Sequence, residues 1–378
     1  MQLSHLEIEN FRNIAAAAID FSPGVNILYG DNAQGKTNIL EAIWLFCAGK
    51  SFRPAKDRDM IRENCDRARL RLLFYAFGRG QKCEIVLHQD KSKQTLLNGV
   101  KLKKLSELFG NVSAVLFAPE HLNIVDEGPE QRRRFLDIAI SQLRPRYVAD
   151  LVRYQKVMSQ RNALLKDIRF SADLIPMLDA FDVQAAALAD EIVRRRAAYL
   201  RRLSPIVSEI YQQMTKSREQ LRLSYKASIR GTREEILAAL SQNRKEDLLN
   251  GYSGIGPHRD DIEFFIDGRG VRLFGSRGQR RSCVICLKLA EQEILKQETG
   301  EYPILLLDDI MAELDPARQH FLLNRMDGKQ VIITCCDKAV LASLEEGAAF
   351  HIAAGQARLD KKITVRAGDD PSGRENGF

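Results

Sequence analysis

Eight consecutive residues near the N-terminus have the types and spacing for phosphate chemistry. Gly30-Asp31-Asn32-Ala33-Gln34-Gly35-Lys36-Thr37 fits G-x-x-x-x-G-K-[ST] at every fixed position. A glycine-rich turn between a strand and a helix lets backbone N–H groups surround a polyphosphate, and the helix N-terminus adds roughly half a positive charge. In such a turn Lys36 reaches the β- and γ-phosphates, and Thr37 offers its hydroxyl to Mg²⁺. Far along the chain, Ile304-Leu305-Leu306-Leu307-Asp308-Asp309 is an apolar run ending in two carboxylates. A buried strand there aims Asp308 at Mg²⁺, directly or through water, and leaves Asp309 beside the attacking water as general base. The plainer alternative, a strand followed by an N-capping Asp, loses weight beside an intact phosphate loop. The expectation is a nucleoside triphosphate site. Its catalytic residues are Lys36, Asp308 and Asp309, and Thr37 and Asp308 face the metal.

These residues need a scaffold. Val25 to Tyr29 has the character of a short buried strand before the loop, and Asn38 to Trp44 that of a helix start after it. Leu6, Ile8 and Phe11 begin an alternating strand. Further strands are expected at Arg69 to Tyr75, Glu84 to His88 and Val112 to Phe117, with a hairpin turn at Asn98-Gly99. From about Asp126 the period becomes helical. Leu151, Tyr154, Met158 and Leu165 mark one amphipathic helix. Phe181, Ala185, Leu188, Ile192, Tyr199 and Leu203 mark the seam of a second, decorated by Arg194-Arg195-Arg196 and Arg201-Arg202. After Gly251 strands return, with unbroken apolar runs at Pro303 to Leu307 and Gln330 to Thr334 of the kind found in parallel sheets. The expected organisation is an N-terminal α/β part (1–125), an inserted helical arm (126–250) and a C-terminal α/β part (251–378). Arg366 to Phe378, with three Gly, one Pro and mixed charge, is expected to fray.

Composition narrows the class. Apolar residues make up 45% and charged residues 28% of 378, ordinary for a soluble protein of two or three domain-sized units. No apolar run reaches the ~18 residues of a membrane helix, and the N-terminus is too polar for a secretory segment; a cytoplasmic location follows. Seven cysteines without a signal argue against a disulfide framework. Cys283 and Cys286 have no second pair at metal spacing and fall in an expected helix, so a buried helix face is their expected place. Cys335-Cys336 ends a strand and is given no redox role. The net charge of +7 is uneven: residues 126–250 hold 23 Lys+Arg against 17 Asp+Glu, the rest 34 against 33. That excess suits a polyanionic partner, and equally a solvated helix surface laced with salt bridges.

The distance between the two halves of the site separates NTPase classes. A small GTPase would need a far shorter span, and no N-K-x-D motif is present. Instead Gly275-Ser276-Arg277-Gly278-Gln279-Arg280-Arg281 precedes a helix and stands about 30 residues before the acidic strand, with Glu313-Leu314-Asp315 at the D-loop position beyond that strand. It resembles the L-S-G-G-Q signature of ABC-type ATPases, with Arg277 in place of the first glycine. Its Ser hydroxyl and glycine N–H groups suit a γ-phosphate at a helix N-terminus. Further segments distinguish a narrower group. They are Asn10-Phe11-Arg12-Asn13, Asn38 after the phosphate loop, Lys50-Ser51-Phe52-Arg53, Phe117-Ala118-Pro119-Glu120 and Arg132-Arg133-Arg134-Phe135-Leu136-Asp137. Gln160-Arg161-Asn162-Ala163-Leu164-Leu165 and Gly256-Pro257-His258-Arg259-Asp260-Asp261 complete the set. With these the chain resembles the RecF family, bacterial recombination-repair ATPases related to SMC proteins.

The resemblance implies an α/β fold, an ABC-type (P-loop) ATPase head with an inserted helical lever arm. It implies an ATP-dependent homodimer that closes on ATP and Mg²⁺ and holds duplex DNA near gap junctions. In this dimer Ser276, Gly278 and Gln279 contact the γ-phosphate held by the opposite copy. RecR and RecO are implied partners in loading RecA, and no membrane is involved. Arg53 resembles the arginine that couples DNA to hydrolysis in SMC-like heads, though a surface arginine in a loop would look the same. Arg132, Arg133 and Arg134 suit phosphate contacts or a solvated helix segment. His258 suits either chemistry or a structural turn. Three positions depart from the ABC pattern: Ile333-Thr334-Cys335-Cys336 lacks the switch His, Ala312 replaces a common Ser, and Pro119-Glu120 stands where a Gln is usual. Slow or DNA-dependent hydrolysis is the expectation. A transporter motor would require the switch His and a fuller signature, and a vestigial adaptor would not require the intact Asp308–Asp309 pair.

Overall fold

The computed structural model describes residues 1–336 and 347–363. Its centre is a six-stranded sheet in the order β15-β14-β3-β13-β12-β8. The strands are β3 (Val25–Tyr29), β8 (Ala114–Phe117), β12 (Ile304–Asp308), β13 (Val331–Cys335), β14 (Gly347–Ala353) and β15 (Gln356–Ile363). All neighbours are parallel except β14 and β15. The inner strands are largely apolar because both faces are covered, with Asn26, Thr334, His351 and the terminal Asp308 as polar exceptions. Val115, Phe117, Leu305, Leu307, Val331 and Ile333 join one core, whereas Ala114, Leu116, Ile304, Leu306 and Ile332 join the other. Each fully buried Leu or Ile in these layers contributes roughly 1.5–3 kcal/mol.

The second core is closed by α1 (Lys36–Ala48) and an antiparallel sheet. That sheet has the order β2-β1-β4-β5-β6-β7, formed by β1 (Gln2–Phe11), β2 (Ile14–Asp20), β4 (Arg67–Ala76), β5 (Arg79–His88), β6 (Gln94–Leu97) and β7 (Val100–Lys101). Leu6, Ile8, Leu70 and Leu72 of the sheet pack with Ile39, Ile43 and Trp44 of α1. The hairpin at Asn98-Gly99 is present, with φ of 50° and 81° at its two central residues, the positive-φ pair of a type I′ turn. β4 and β5 run longer than expected because they meet in a second such turn at Phe77-Gly78, φ 53° and 72°. A phenylalanine at positive φ carries no sequence signal.

The first core is roofed by helices. α2 (Pro129–Leu143), α3 (Pro145–Asp167) and the 39-residue α4 (Met177–Thr215) pack with α8 (Arg277–Thr299). At 1.5 Å per residue α4 is about 58 Å long. The seam residues Ala185, Ile192, Tyr199 and Leu203 are buried. Cys283 and Cys286 lie buried in α8, and burial pushes both thiols above the ordinary cysteine value. The stretch expected to be wholly helical contains a strand, β9 (Leu221–Lys226). It pairs antiparallel with β10 (Asp261–Ile266), which also pairs with β11 (Arg269–Gly270). This ladder crosses position 250. α5 (Arg233–Gln242), α6 (Arg244–Asn250), α7 (Val271–Phe274) and α9 (Pro316–Leu323) complete the elements used below. Among the described residues no helix is long and apolar enough to cross a membrane. The tail from Arg366 lies outside the described residues.

Candidate functional site

The central sheet brings the two halves of the site together. β3 ends at Tyr29, the loop follows, and α1 starts at Lys36 with Gly35 as its N-cap. Gly30 must be glycine, since a Cβ there would meet the Ile352 carbonyl oxygen at 2.3 Å. Gly35 sits at φ 111°, where side chains are strained. The first turn of α1 has neither a side-chain cap nor an acidic residue, so its N–H groups are left for an anion. Asn13 Nδ2 donates to the Ala33 carbonyl at 3.0 Å, and the β14–β15 turn donates to the Gln34 side chain and backbone at 2.7 and 3.0 Å. Lys36 is buried, and its Nζ donates to the carbonyls of Gly30 and Asp31 at 2.6 and 2.8 Å.

β12 lies beside β13, one strand away from β3, so its end emerges near the loop. Thr37 Oγ1 donates to Asp308 Oδ1 at 2.8 Å, and Thr334 Oγ1 at the end of β13 donates to the same oxygen at 2.9 Å. Burial raises the Asp308 pKa above the ordinary value, against the two hydroxyl hydrogen bonds. Burial also raises that of Asp309, against the nearby Lys36 charge. A raised carboxyl is a better proton acceptor near neutral pH. The donor set fits Mg²⁺: a hydroxyl and a carboxylate are hard oxygen ligands, and Mg²⁺ takes one or two such groups with phosphate and water. No group of three or more His, Cys, Asp or Glu able to hold a metal exists among the described residues. The phosphates must supply the rest.

The signature residues lie elsewhere, at the start of α8. Ser276 is the N-cap, its hydroxyl accepting from the Gln279 N–H at 3.1 Å while Gln279 Oε1 accepts from the Ser276 N–H at 2.8 Å. This capping box was not anticipated. A Cβ at Gly278 would lie 2.9 Å from an Arg318 guanidinium nitrogen, so a larger residue there would have to displace that side chain. Arg318 of α9 donates to the Gly278 carbonyl and Ser282, and Arg281 pairs with Glu313, so the D-loop segment and the signature brace each other. Among the described residues no hydrogen bond joins Ser276, Gly278 or Gln279 to the phosphate loop of the same chain.

The arginines divide into three kinds. Arg132 is a correction: its guanidinium is buried, paired to Asp261 at 2.6 and 3.0 Å, and donates to the carbonyls of Ile124, Val125 and Glu127. It holds α2 to β10 and has no face left for a phosphate. Arg133 and Arg134 are half-buried and donate to the carbonyls of Asp260 and Ser51, both at 2.7 Å. Arg53 is half-buried and bonded to Asn38 and to Glu41 of α1. His258 resolves toward structure: Nδ1 meets the Tyr154 hydroxyl at 2.8 Å and Nε2 the Ser253 carbonyl at 3.1 Å. Burial keeps its imidazole below the usual histidine value.

Glu41 has no counterpart in the sequence reading. It is fully buried and receives Arg12, Arg53 and Ser51. Burial pushes its pKa up, but those donors outweigh it and leave the carboxyl below its ordinary 4.5. A depressed carboxyl contributes stability above its unfolded value and loses it as pH falls through the folded one. Urea midpoints of the wild type minus those of Glu41→Gln should therefore be largest at neutral pH and shrink below pH 4.5. A difference that does not change with pH would refute the role given to the Arg12–Glu41–Arg53 cluster.

Comparison with known proteins agrees with this geometry. Residues 2–356 match the model of the RecF/RecN/SMC N-terminal domain. A DNA replication and repair protein RecF from Lachnoclostridium phytofermentans is 39% identical over 89% of this chain and 92% of its own. One from Acetivibrio thermocellus is 40% identical over 93% and 98%. A solved structure of the recombination mediator protein RecF-ATPrS superposes with a TM-score of 0.89 at 36% identity, covering 94% of this chain and 97% of that one. An SMC head domain from Pyrococcus furiosus, at 16% identity and a TM-score of 0.54, shares the fold alone. The chain belongs to the RecF/RecN/SMC N-terminal domain family and, within it, to RecF, with the α/β fold of an ABC-type ATPase head.

Proposed function

We propose that the chain is an ATP-dependent clamp on DNA in recombinational repair and replication. Two copies close on Mg²⁺-ATP held at residues 30–37, each presenting Ser276, Gly278 and Gln279 to the other's γ-phosphate. The closed pair holds duplex DNA near a single-stranded gap and, in the cytoplasm, assists RecA loading with RecO and RecR. Solved RecF relatives carry ATP or ATPrS and are assigned to the RecFOR pathway, which supports this reading. The observation that carries it is the meeting of Thr37 and Asp308, 271 positions apart, at 2.8 Å. One hydroxyl can then give its proton to the carboxylate while its lone pair faces the metal.

In the reaction, Lys36 would neutralise phosphate charge and Asp309 would take a proton from water. Mg²⁺ supplies charge neutralisation of the phosphates when bound. Residues 1–125 and 251–378 would form the head and 126–250 the lever arm, anchored by the β9–β10 ladder. The run Ile333-Thr334-Cys335-Cys336 at the switch position has no imidazole, so hydrolysis should be slow and raised by DNA.

The test is fluorescence anisotropy of a labelled gapped duplex titrated with the protein, with and without Mg²⁺-ATP. Tight binding only with Mg²⁺-ATP is the expected result. Binding indifferent to nucleotide would make the chain an adaptor with a basic arm. Ser276→Arg should weaken ATP-driven self-association about tenfold or more, by loss of a charge-assisted contact worth roughly 1.5–3 kcal/mol. Sedimentation of the variant with and without ATP checks this, and unchanged dimer formation would remove the trans contact.

A further inference from the structure

The geometry points to Thr334 as the positioning residue of the acidic pair: its one hydroxyl sets both the carboxylate of Asp308 and the backbone of Asp309. The inference rests on the ATP reading of the site. Thr334 is 1% exposed on β13 and stands directly opposite Asp308 in the parallel register. Its Oγ1 lies 2.9 Å from Asp308 Oδ1 and 2.9 Å from the Asp309 N–H. A hydroxyl has one proton and two lone pairs. The backbone N–H can only donate, so it takes a lone pair; of the two acceptors in reach, Asp308 Oδ1 at 2.9 Å and the Leu307 carbonyl at 3.4 Å, the nearer and charged one takes the proton.

Two consequences follow for the reacting centre. Thr37 and Thr334 both donate to Oδ1 of Asp308. Among the described residues Oδ2 accepts no hydrogen bond, and it is the oxygen left for the metal or its water. Asp309 sits at φ 48° and ψ 20°, the left-handed conformation that L-residues other than Gly, Asn and Asp rarely adopt. The Thr334 bond to its N–H holds the chain there. Among the described residues the Asp309 carboxylate has no hydrogen-bond partner, which leaves it open to water. A valine has the same shape as threonine and neither bond. A serine has both.

The experiment compares the wild type, Thr334→Val and Thr334→Ser at matched thermal midpoints. The readouts are ATP turnover and, separately from activity, the affinity for Mn²⁺ in the presence of ADP by electron paramagnetic resonance. Thr334→Val should lower kcat tenfold or more and weaken Mn²⁺ severalfold, with metal-free ADP affinity unchanged. Thr334→Ser should restore both. A valine variant equal to the wild type in both readouts would overturn the assignment, and so would a folded serine variant as impaired as valine. If valine prevents folding, amide exchange in the unmodified protein decides. The Asp309 N–H should be protected relative to the amides of the exposed residues Ala312 and Glu313, and rapid exchange would overturn the proposal. A wild type that binds no Mn²⁺-nucleotide would refute the ATP reading itself, a result distinct from a silent valine substitution.

Discussion

Replacing Arg161 by leucine is expected to destabilise the protein by about 3–5 kcal/mol, the usual cost of removing one partner from a buried ion pair. Arg161, Asp182 and Asp247 are all fully buried, and the guanidinium reaches both carboxylates at 2.7 Å. Through Asp182 it ties α3 to α4; through Asp247 and the Ser253 hydroxyl, also 2.7 Å away, it ties both to α6 and the loop after it. The two carboxylates would not suffer equally. Asp182 keeps Arg244 at 2.7 Å, whereas Asp247 keeps only the neutral donors Asn243 and Gly254. Asp247 is thus the charge left without a cation. At roughly 2–4 °C per kcal/mol for a domain of a couple of hundred residues, the thermal midpoint should fall about 6–20 °C. Adding Asp247→Asn to the leucine variant should recover part of the loss by removing that charge. Arg161→Lys should not restore stability, since one ammonium cannot reproduce a two-sided fork. A midpoint within a degree of the wild type would show that the triad is not what joins the arm helices.

Asp309→Asn should lower kcat for ATP hydrolysis about 10²–10⁴-fold, the usual contribution of a positioned general base. That loss corresponds to roughly 3–5 kcal/mol of barrier. The amide keeps the size of the side chain and loses only its proton affinity, so ATP-driven dimerisation should survive. The separation matters because Lys36→Ala would abolish both steps by failing to hold nucleotide. Pre-steady-state turnover measured beside sedimentation checks it. An Asn variant with wild-type turnover would assign the base elsewhere and favour the adaptor reading.

The phosphate loop and the acidic strand were legible because their chemistry is local. Gly35 must take positive φ, Lys36 and Thr37 have fixed places in the turn, and a run such as Ile304–Leu307 can only be buried. Helix period likewise revealed α3 and α4. β9 escaped because Leu221–Lys226 is short and polar on one face, and its partner β10 lies beyond the arm. Local pattern cannot show a pairing partner that distant.

The roles of the arginines were the least legible. Arg132, Arg133 and Arg134 are identical in sequence terms, yet one is buried against Asp261 and two are only half-covered. Part of the basic excess in residues 126–250 is therefore structural, spent on Asp182, Asp247, Asp137 and Asp260 through Arg161 and Arg196. By itself the sequence determined the phosphate-loop and acidic-strand pattern, the α/β head with an inserted helical segment, and the family, since these rest on contiguous residues and periodicity. Only the tertiary structure decided that Thr334 bridges Asp308 and Asp309, that Glu41 gathers Arg12 and Arg53, and which arginines remain accessible. Each of those depends on which side chains the sheet order and helix packing bring within about 3 Å, the range of a hydrogen bond.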